Sequence, residues 1–166
     1  MYDRLTQKDI EKMEQEIEHR KLVIRKQAIE DVKEARAHGD LSENFEYKAA
    51  KKFKNENESR IRYLEKMVKT ARVITDESAE DEAGLNDTVV LYIEDEGCEE
   101  EYKIVTTVRC DVLNNMISIE SPMGKSLLNH KTGDRVYIAI DDKSGYYAQI
   151  KEIRKSDDET EGISSF

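Results

Sequence analysis

Two narrow seams of apolar residues, separated by a single glycine, most constrain the fold of the first 75 residues. Within each seam apolar residues recur mainly at spacings of three, four or seven, the first seam being interrupted by one polar turn. Such narrow seams are typical of coiled coils and not of helices in a globular core. The first seam comprises Ile10, Met13, Ile17, Ile24, Ala28, Val32 and Ala35, and the second comprises Phe45, Ala49, Phe53, Ile61, Leu64, Val68 and Ala71.

The segment between the seams predicts that the two helices fold back on each other. Gly39 is the only glycine in the first 83 residues, and the single proline of the chain is Pro122. Two helices of about 30 residues joined by a few residues must run antiparallel, and each would be roughly 45 Å long. Residues 1–75 are therefore predicted to form a coiled-coil hairpin. Thr6, with Asp9 three residues on, is predicted to cap its first helix.

The pattern changes after residue 75. Residues 76–84 form an acidic connector, and beyond it β-branched residues alternate with polar ones, as strands require. Residues 85–155 are therefore predicted to form a small antiparallel sheet with one short helix after Pro122, so the fold class is α+β. Residues 156–166 are too polar to pack by this reasoning and are predicted to be a mobile tail. The predicted strands are 88–93, 102–108, 116–119, 135–140 and 146–153.

Charge limits the classes of partner. The 37 Asp and Glu residues exceed the 27 Lys and Arg residues, and all of the excess lies after residue 75, where 22 Asp and Glu residues face 9 Lys and Arg residues. A chain this acidic is not expected to bind duplex DNA on its own through the phosphates, so any nucleic acid would be presented by a partner. No apolar run is long enough to span a membrane, and the N-terminus lacks the apolar stretch of a secretory signal. A cytoplasmic location is therefore expected.

Motifs of free-standing enzymes are missing from the sequence. No glycine-rich phosphate loop, nucleophile elbow or paired-histidine zinc motif occurs. The two cysteines, Cys98 and Cys110, exclude a disulfide framework and a multi-cysteine zinc site. The three histidines are scattered and are expected to be ordinary surface or packing residues.

The hairpin turn carries two carboxylates, Asp40 and Glu43, spaced so that they lie on one side of the turn. One interpretation is structural: Asp40 would be the N-cap of the second helix and Glu43 its capping-box partner. The other is a site for a hard cation, because Mg²⁺ takes one or two protein carboxylates and completes its shell with water and phosphate. Two acids alone are too few to hold the ion tightly, so another protein would have to supply the remaining ligands.

Two motifs resemble bacterial transcript cleavage factors of the GreA/GreB family. The first is residues 39–51, Gly-Asp-Leu-Ser-Glu-Asn-Phe-Glu-Tyr-Lys-Ala-Ala-Lys, and the second is residues 119–128, Ile-Glu-Ser-Pro-Met-Gly-Lys-Ser-Leu-Leu, followed by Gly133-Asp134. The resemblance covers roughly residues 5–155. Phe45 replaces the small residue usual in the tip motif, and Asn129 stands where a glycine commonly follows the leucine pair.

The resemblance implies a cofactor of catalysis and not an enzyme. Family members insert the coiled coil into the secondary channel of RNA polymerase, where the tip carboxylates, here Asp40 and Glu43, help to bind the second catalytic Mg²⁺ and to position a water. That water cleaves the nascent RNA of a backtracked complex near its 3′ end. No metal would be held by the isolated chain, which is expected to be a monomer. The second domain, FKBP-like in this family, binds the rim of the channel.

Other residues of the two motifs have paired interpretations. Asn44, Glu46 and Tyr47 are predicted to shape the tip, and Tyr47 either stacks on a base or packs. The basic residues after the tip, with Lys33 and Arg36 on the other helix, either contact extruded RNA or form a solvated face. The segment 120–122 either contacts polymerase or is a strand-to-helix turn with proline at the first helical position. The basic residues are Lys48, Lys51, Lys52 and Lys54, and the segment is Glu120, Ser121 and Pro122.

Two other functional classes remain open at this point. A regulator of the same architecture would bind the channel and inhibit transcription without promoting cleavage, and it would be expected to have an altered tip. A coiled-coil scaffold would need neither the Asp40 and Glu43 pair nor the motif in the second domain.

Overall fold

The computed structural model describes residues 3–39 and 44–165. The chain divides into two compact units: residues 1–3 with 10–71, and residues 4–9 with 72–166. The first unit is helical and the second is built on a sheet, so the predicted α+β class is confirmed. Residues 4–9, which the sequence analysis placed with the hairpin, lie in the second unit because strand β1 (Arg4–Leu5) pairs in parallel with strand β2 (Arg72–Val73).

The first unit is an antiparallel helical hairpin. Helix α1 (Gln7–His19) continues through a π-helical turn (Arg20–Ile24) into α2 (Arg25–Ala37), and α3 (Phe45–Thr70) returns. The 26 residues of α3 correspond to about 39 Å. Contacts between the helices establish the antiparallel direction: Glu16 pairs with Arg60, Arg25 pairs with Glu58, and the Ala35 carbonyl accepts from Asn44. Lys21 also pairs with Glu65 across the hairpin.

The π-helical turn coincides with the polar interruption of the first seam. The Arg25 N–H donates to the carbonyl of Arg20, five residues back. Buried Asn57 of α3 lies against this turn: its Oδ1 accepts from Arg20 Nη1 at 3.0 Å, and its Nδ2 donates to the Arg20 carbonyl at 3.4 Å. A side chain that inserts at a helix carbonyl is a known cause of such a bulge. The hydrogen bonds between Asn57 and Arg20 therefore fix which residues of the two helices lie opposite each other at mid-length.

The second unit has a five-stranded sheet made of β3 (Thr88–Ile93), β4 (Cys98–Val105), β5 (Met116–Ser118), β6 (Arg135–Ala139) and β7 (Gly145–Arg154). Their order across the sheet is β5-β4-β3-β7-β6. Alternate residues of its strands point into one core, which the short helix α4 (Pro122–Leu127) helps to close with Leu127. The start of the first helix is capped as predicted, with Thr6 Oγ1 accepting from the Asp9 N–H and Asp9 Oδ2 accepting from the Thr6 N–H.

The sheet differs from the prediction in two ways. It is mixed, because β4 and β5 pair in parallel, with Ile104 opposite Ile117. Strand β4 also begins at Cys98, four residues before the predicted start, because the acidic run 99–101 pairs along its whole length with β3. It ends at Val105 because residues 107–109 form a 3₁₀ turn.

The two polar segments expected to be a connector and a tail both belong to the second unit and bond to other parts of it. In the connector, the ammonium group of Lys155 donates to the side chain of Ser78 and to the carbonyls of Ala79 and Glu82. In the tail, the N–H of Ser164 donates to the Val108 carbonyl at 2.7 Å. For the described residues 156–165, the prediction that residues 156–166 are too polar to pack is therefore wrong, because their side chains and backbone bond to polar partners elsewhere in the unit.

Candidate functional site

The predicted metal-binding pair at the hairpin turn, Asp40 and Glu43, lies outside the described residues. The structure describes the chain on both sides, from the end of α2 to Gly39 and again from Asn44. Gly39 has a φ of +118°, a backbone conformation that favours glycine. The role of Asp40 and Glu43 in binding Mg²⁺ therefore stays a prediction. The contacts of the residues on either side show whether the two acids are needed to cap the second helix.

Asn44 caps the second helix of the hairpin. Its backbone is extended, and its Oδ1 accepts from the N–H of Tyr47, the third residue of α3, at 2.9 Å. The interpretation in which Asp40 is the N-cap and Glu43 its capping-box partner is therefore wrong, because α3 begins later than that interpretation requires. The two carboxylates are not needed to cap this helix.

The Asn44 side chain also joins the two helices near the tip. Its Nδ2 donates to the Ala35 carbonyl at 2.7 Å, in the last turn of α2. One side chain thus adds a second donor to the Ala35 carbonyl, which also accepts from the His38 N–H, and satisfies a free N–H at the start of the next helix. These contacts are what a tip-shaping residue requires.

Glu46 and Tyr47 also contact the opposite helix end. The Glu46 carboxylate lies 3.0 Å from Nδ1 of His38, which immediately follows α2. The Arg36 guanidinium lies 5.5 Å from the centroid of the Tyr47 ring, and a side-chain hydrogen bond with Arg36 lowers the pKa of the Tyr47 hydroxyl. This arrangement favours the packing interpretation of Tyr47. The tip is thus held by three cross-helix contacts that involve Asn44, Glu46 and Tyr47.

The four lysines that follow the tip do not share one face of α3. Lys48 and Lys52 are four residues apart, so they are neighbours on the helix surface, and both are exposed. Lys51 is exposed beside them, whereas Lys54 is half-buried and lies roughly 120° around the helix from Lys48. Phe45, four-fifths exposed, is part of the same surface, with Lys48 Nζ 5.7 Å from its ring centroid. The candidate RNA-contacting surface is therefore Lys48, Lys51 and Lys52.

The candidate polymerase-contacting segment forms the predicted strand-to-helix turn. Ser121 is the N-cap of α4, accepting from the N–H of Gly124 at 3.0 Å, and Pro122 occupies the first helical position. Glu120 is partly exposed and accepts from Arg4 Nε at 2.7 Å. A Cβ added to Gly124 would lie 2.1 Å from the Ser118 carbonyl oxygen, so glycine is required where the helix meets the strand. The turn holds Glu120 and Pro122 at the surface, where a partner can reach them.

Known families match both units of the chain. Residues 4–73 match the family described as "Transcription elongation factor, N-terminal", and residues 77–155 match "Transcription elongation factor, GreA/GreB, C-term". The chain belongs to the GreA/GreB family. The match covers the tip motif and the segment 120–122, and it ends before residues 156–166.

Curated relatives of the GreA/GreB family align over most of the chain. "Transcription elongation factor GreA" of Thermoanaerobacter pseudethanolicus is 44% identical over 137 residues, which are 82% of this chain and 87% of the relative. The protein of the same name from Bacillus subtilis is 40% identical over 134 residues, 81% of this chain and 85% of the relative. Among solved structures, that of "GreA factor homolog 1 (Gfh1) protein of Thermus thermophilus" is 26% identical, covers 93% of this chain and 100% of its own, and has a TM-score of 0.43.

Sequence reasoning missed two features of this GreA/GreB chain. One is Asn44 as the helix cap, although asparagine is among the preferred N-cap residues. The other is Arg109, a fully buried arginine whose partners are 23 to 100 residues away. Only the first left a local signal in the sequence.

No helix in the described part of the chain is both long and apolar enough to cross a membrane.

Proposed function

We propose that this chain is a transcription elongation factor that binds RNA polymerase and stimulates cleavage of backtracked RNA by the polymerase. The family match over both units carries the proposal. The hairpin enters the secondary channel and brings Asp40 and Glu43 to the catalytic centre, while the second unit binds the rim of the channel. The chain itself is not a catalyst, because the hydrolytic chemistry belongs to the metal ions of the polymerase.

The tip geometry supports this role for the two acids. Because Asn44 caps α3, neither Asp40 nor Glu43 is required for the cap. The contacts from Asn44 to Ala35 and from Glu46 to His38 join the two helix ends that flank the acids. Carboxylate oxygens are ligands that suit Mg²⁺, and two of them complete a shell only when a partner supplies the others. In this proposal the chain contributes two carboxylate ligands to Mg²⁺, and its hairpin positions them in the catalytic centre of the polymerase.

A cleavage assay on a stalled, backtracked elongation complex tests the proposal. With Mg²⁺ and polymerase present, adding the protein should shorten the labelled nascent RNA from its 3′ end, and the complex should then resume elongation. The protein alone should not cleave the same RNA. Binding to polymerase with inhibition of synthesis and no cleavage would contradict the proposal, since that is the behaviour of a channel-blocking regulator.

Exchanging Glu120 and Pro122 for alanine together should weaken docking. We expect the concentration needed for half-maximal cleavage to rise about tenfold, which corresponds to a loss of about 1.4 kcal/mol of binding free energy. The saturated cleavage rate should stay the same, because these residues lie in the unit that does not carry the tip. Asp142→Ala, an exposed change in the β6–β7 turn, serves as the control. A lower saturated rate at unchanged affinity would contradict this division of roles.

The exposed lysines should bind the extruded RNA. Lys48→Gln with Lys52→Gln removes up to two phosphate contacts, so the dependence of RNA crosslinking on salt should fall by about 1.4 in logarithmic slope, at roughly 0.7 per phosphate. Helix propensity is nearly preserved, since Gln and Lys rank together. Lys54→Gln, on a different side of the helix, is the matched control and should change neither quantity. Equal crosslinking by all three proteins would assign the lysines to a solvated surface.

A further inference from the structure

The buried Arg109 lies at the centre of a polar cluster that the proposed function does not use. Its side chain is completely buried, and Nε donates to the equally buried Asp9 carboxylate at 2.8 Å. Nη1 donates to Asn86 Oδ1, also at 2.8 Å. A buried arginine is stable only when its donors and its charge are both satisfied. Asp9 and Asn86 satisfy one side of the guanidinium.

Residues 156–165, which we call the strap, satisfy the other side. Glu159 accepts from Arg109 Nη2 at 3.3 Å, and Glu161 accepts from Nη1 at 3.2 Å. Lys103, largely buried beside them, pairs with Glu161 and donates to the carbonyl of Asp158. Although burial of the Glu161 side chain opposes ionisation, the hydrogen bond from Lys103 holds its pKa below the ordinary value. The strap thus presents two carboxylates to the side chains of Arg109 and Lys103.

The backbone of the strap is fixed at both ends. The N–H of Ser156 donates to Asp87 Oδ1 at 2.9 Å. At the far end, the N–H of Ser164 donates to the Val108 carbonyl at 2.7 Å, and its hydroxyl donates to the Cys110 carbonyl at 2.8 Å. Between the strap and the turn around Cys110 lies a cavity of about 410 Å³. Polar contacts therefore hold the strap at both ends, and a cavity lies beside its far end.

The strap covers two positively charged side chains. Arg109 and Lys103 carry two positive charges. Among the described residues, the carboxylates that contact them are Asp9, Glu159 and Glu161, of which Asp9 alone lies outside the strap. Without the strap the site would hold an excess of positive charge, inside a half of the chain that is strongly acidic. A guanidinium with two unused donors and a neighbouring ammonium is a binding site for carboxylates. The strap occupies that site as an internal ligand.

We propose that Arg109 and Lys103 form a binding site for an acidic peptide segment, and that the strap is its built-in, exchangeable occupant. Because an unpaired buried charge is costly, the strap leaves when another acidic segment replaces its two glutamates. The strap lies beyond the residues that match the GreA/GreB family, 4–73 and 77–155. The proposal does not depend on polymerase binding or on RNA cleavage.

Hydrogen exchange tests whether the strap is docked by its glutamates. In the full chain, Glu159→Gln with Glu161→Gln should speed exchange of the Ser164 amide by about tenfold or more, because the segment opens more often. Asp157→Asn, an exposed change in the same segment, should leave that rate as in the wild type. Unchanged protection of the Ile150 amide in β7 shows that the sheet is folded in each variant. Fast exchange of Ser164 in the wild type, or equal rates in all three proteins, would overturn the proposal.

Peptide binding tests whether the site accepts a ligand from outside. The probe is a fluorescent peptide with the sequence of residues 156–166. It should bind the full-length Glu159→Gln, Glu161→Gln variant about tenfold or more tightly than the wild type, in which the tethered strap competes at an effective concentration near millimolar. The same peptide with both glutamates changed to glutamine should not bind. Failure of the acidic peptide to bind the variant, or equal binding of the two peptides, would overturn the proposal.

Discussion

Replacing Asp40 with Asn, or Glu43 with Gln, is expected to reduce stimulated cleavage by about 100-fold or more. Removing a partner that merely orients a metal ligand typically costs 10- to 100-fold, and these side chains are proposed to be ligands themselves. Because Asn44 and not Asp40 caps α3, the helix should keep its stability in both variants. The measurement is the single-turnover cleavage rate of a backtracked complex at saturating protein, across a series of Mg²⁺ concentrations.

Two further variants separate metal binding from tip structure. Glu34→Gln removes an exposed carboxylate from α2 near the tip and should cleave at the wild-type rate. Asn44→Ala removes the helix cap and its contact with Ala35, at a typical stability cost of about 1 kcal/mol, and should reduce cleavage less than either acid variant does. Wild-type rates for both Asp40→Asn and Glu43→Gln, with unchanged Mg²⁺ dependence, would remove the acids from the mechanism.

The hairpin could be predicted from sequence because its signal is local and repeated. A seam such as Ile61, Leu64 and Val68 fixes both the helix and the face that it buries. The acidic pair was also visible, since two carboxylates three residues apart at a turn need no long-range information. The position of the helix start was not resolved: Asp40 and Asn44 are both good N-caps, and which one caps depends on the path of the chain through the turn.

The sheet was predicted less completely because strand pairing is a long-range property. The run Glu99-Glu100-Glu101 has poor strand propensity, yet it lies in β4 because β3 supplies a ladder of hydrogen bonds along it. The parallel pairing of β5 depends on the turns between residues 106 and 115. The strap was predicted to be mobile because composition shows only that it is polar. Its partners Lys103 and Arg109 lie about 50 residues away in the sequence, so nothing local indicates that it is bound.

The largest loss of stability is expected for Asp9→Ala. The Asp9 carboxylate accepts from Arg109 Nε, from the hydroxyl of Thr106 at 2.7 Å and from the N–H of Thr6. Removing one partner of a buried ion pair costs about 3–5 kcal/mol. Glu159 and Glu161 still contact the Arg109 guanidinium in this variant, but its buried Nε donor loses its acceptor. The unfolding free energy of the second unit should fall by that amount, as measured by hydrogen exchange of the Val89 and Leu91 amides in the core strand β3.

A second substitution shows whether the lost stability comes from the buried Arg109 charge, which has lost a partner, or from the lost cap of the first helix. Adding Arg109→Met to Asp9→Ala removes the buried cation, so the double variant should be more stable than Asp9→Ala alone, even though it lacks one more polar residue. Glu101→Ala breaks the exposed pair with Arg154 and should cost at most about 1 kcal/mol. If Arg109→Met gave no recovery, the cost would belong to the helix start at Thr6, and Arg109 would not require Asp9 to be stable in the interior.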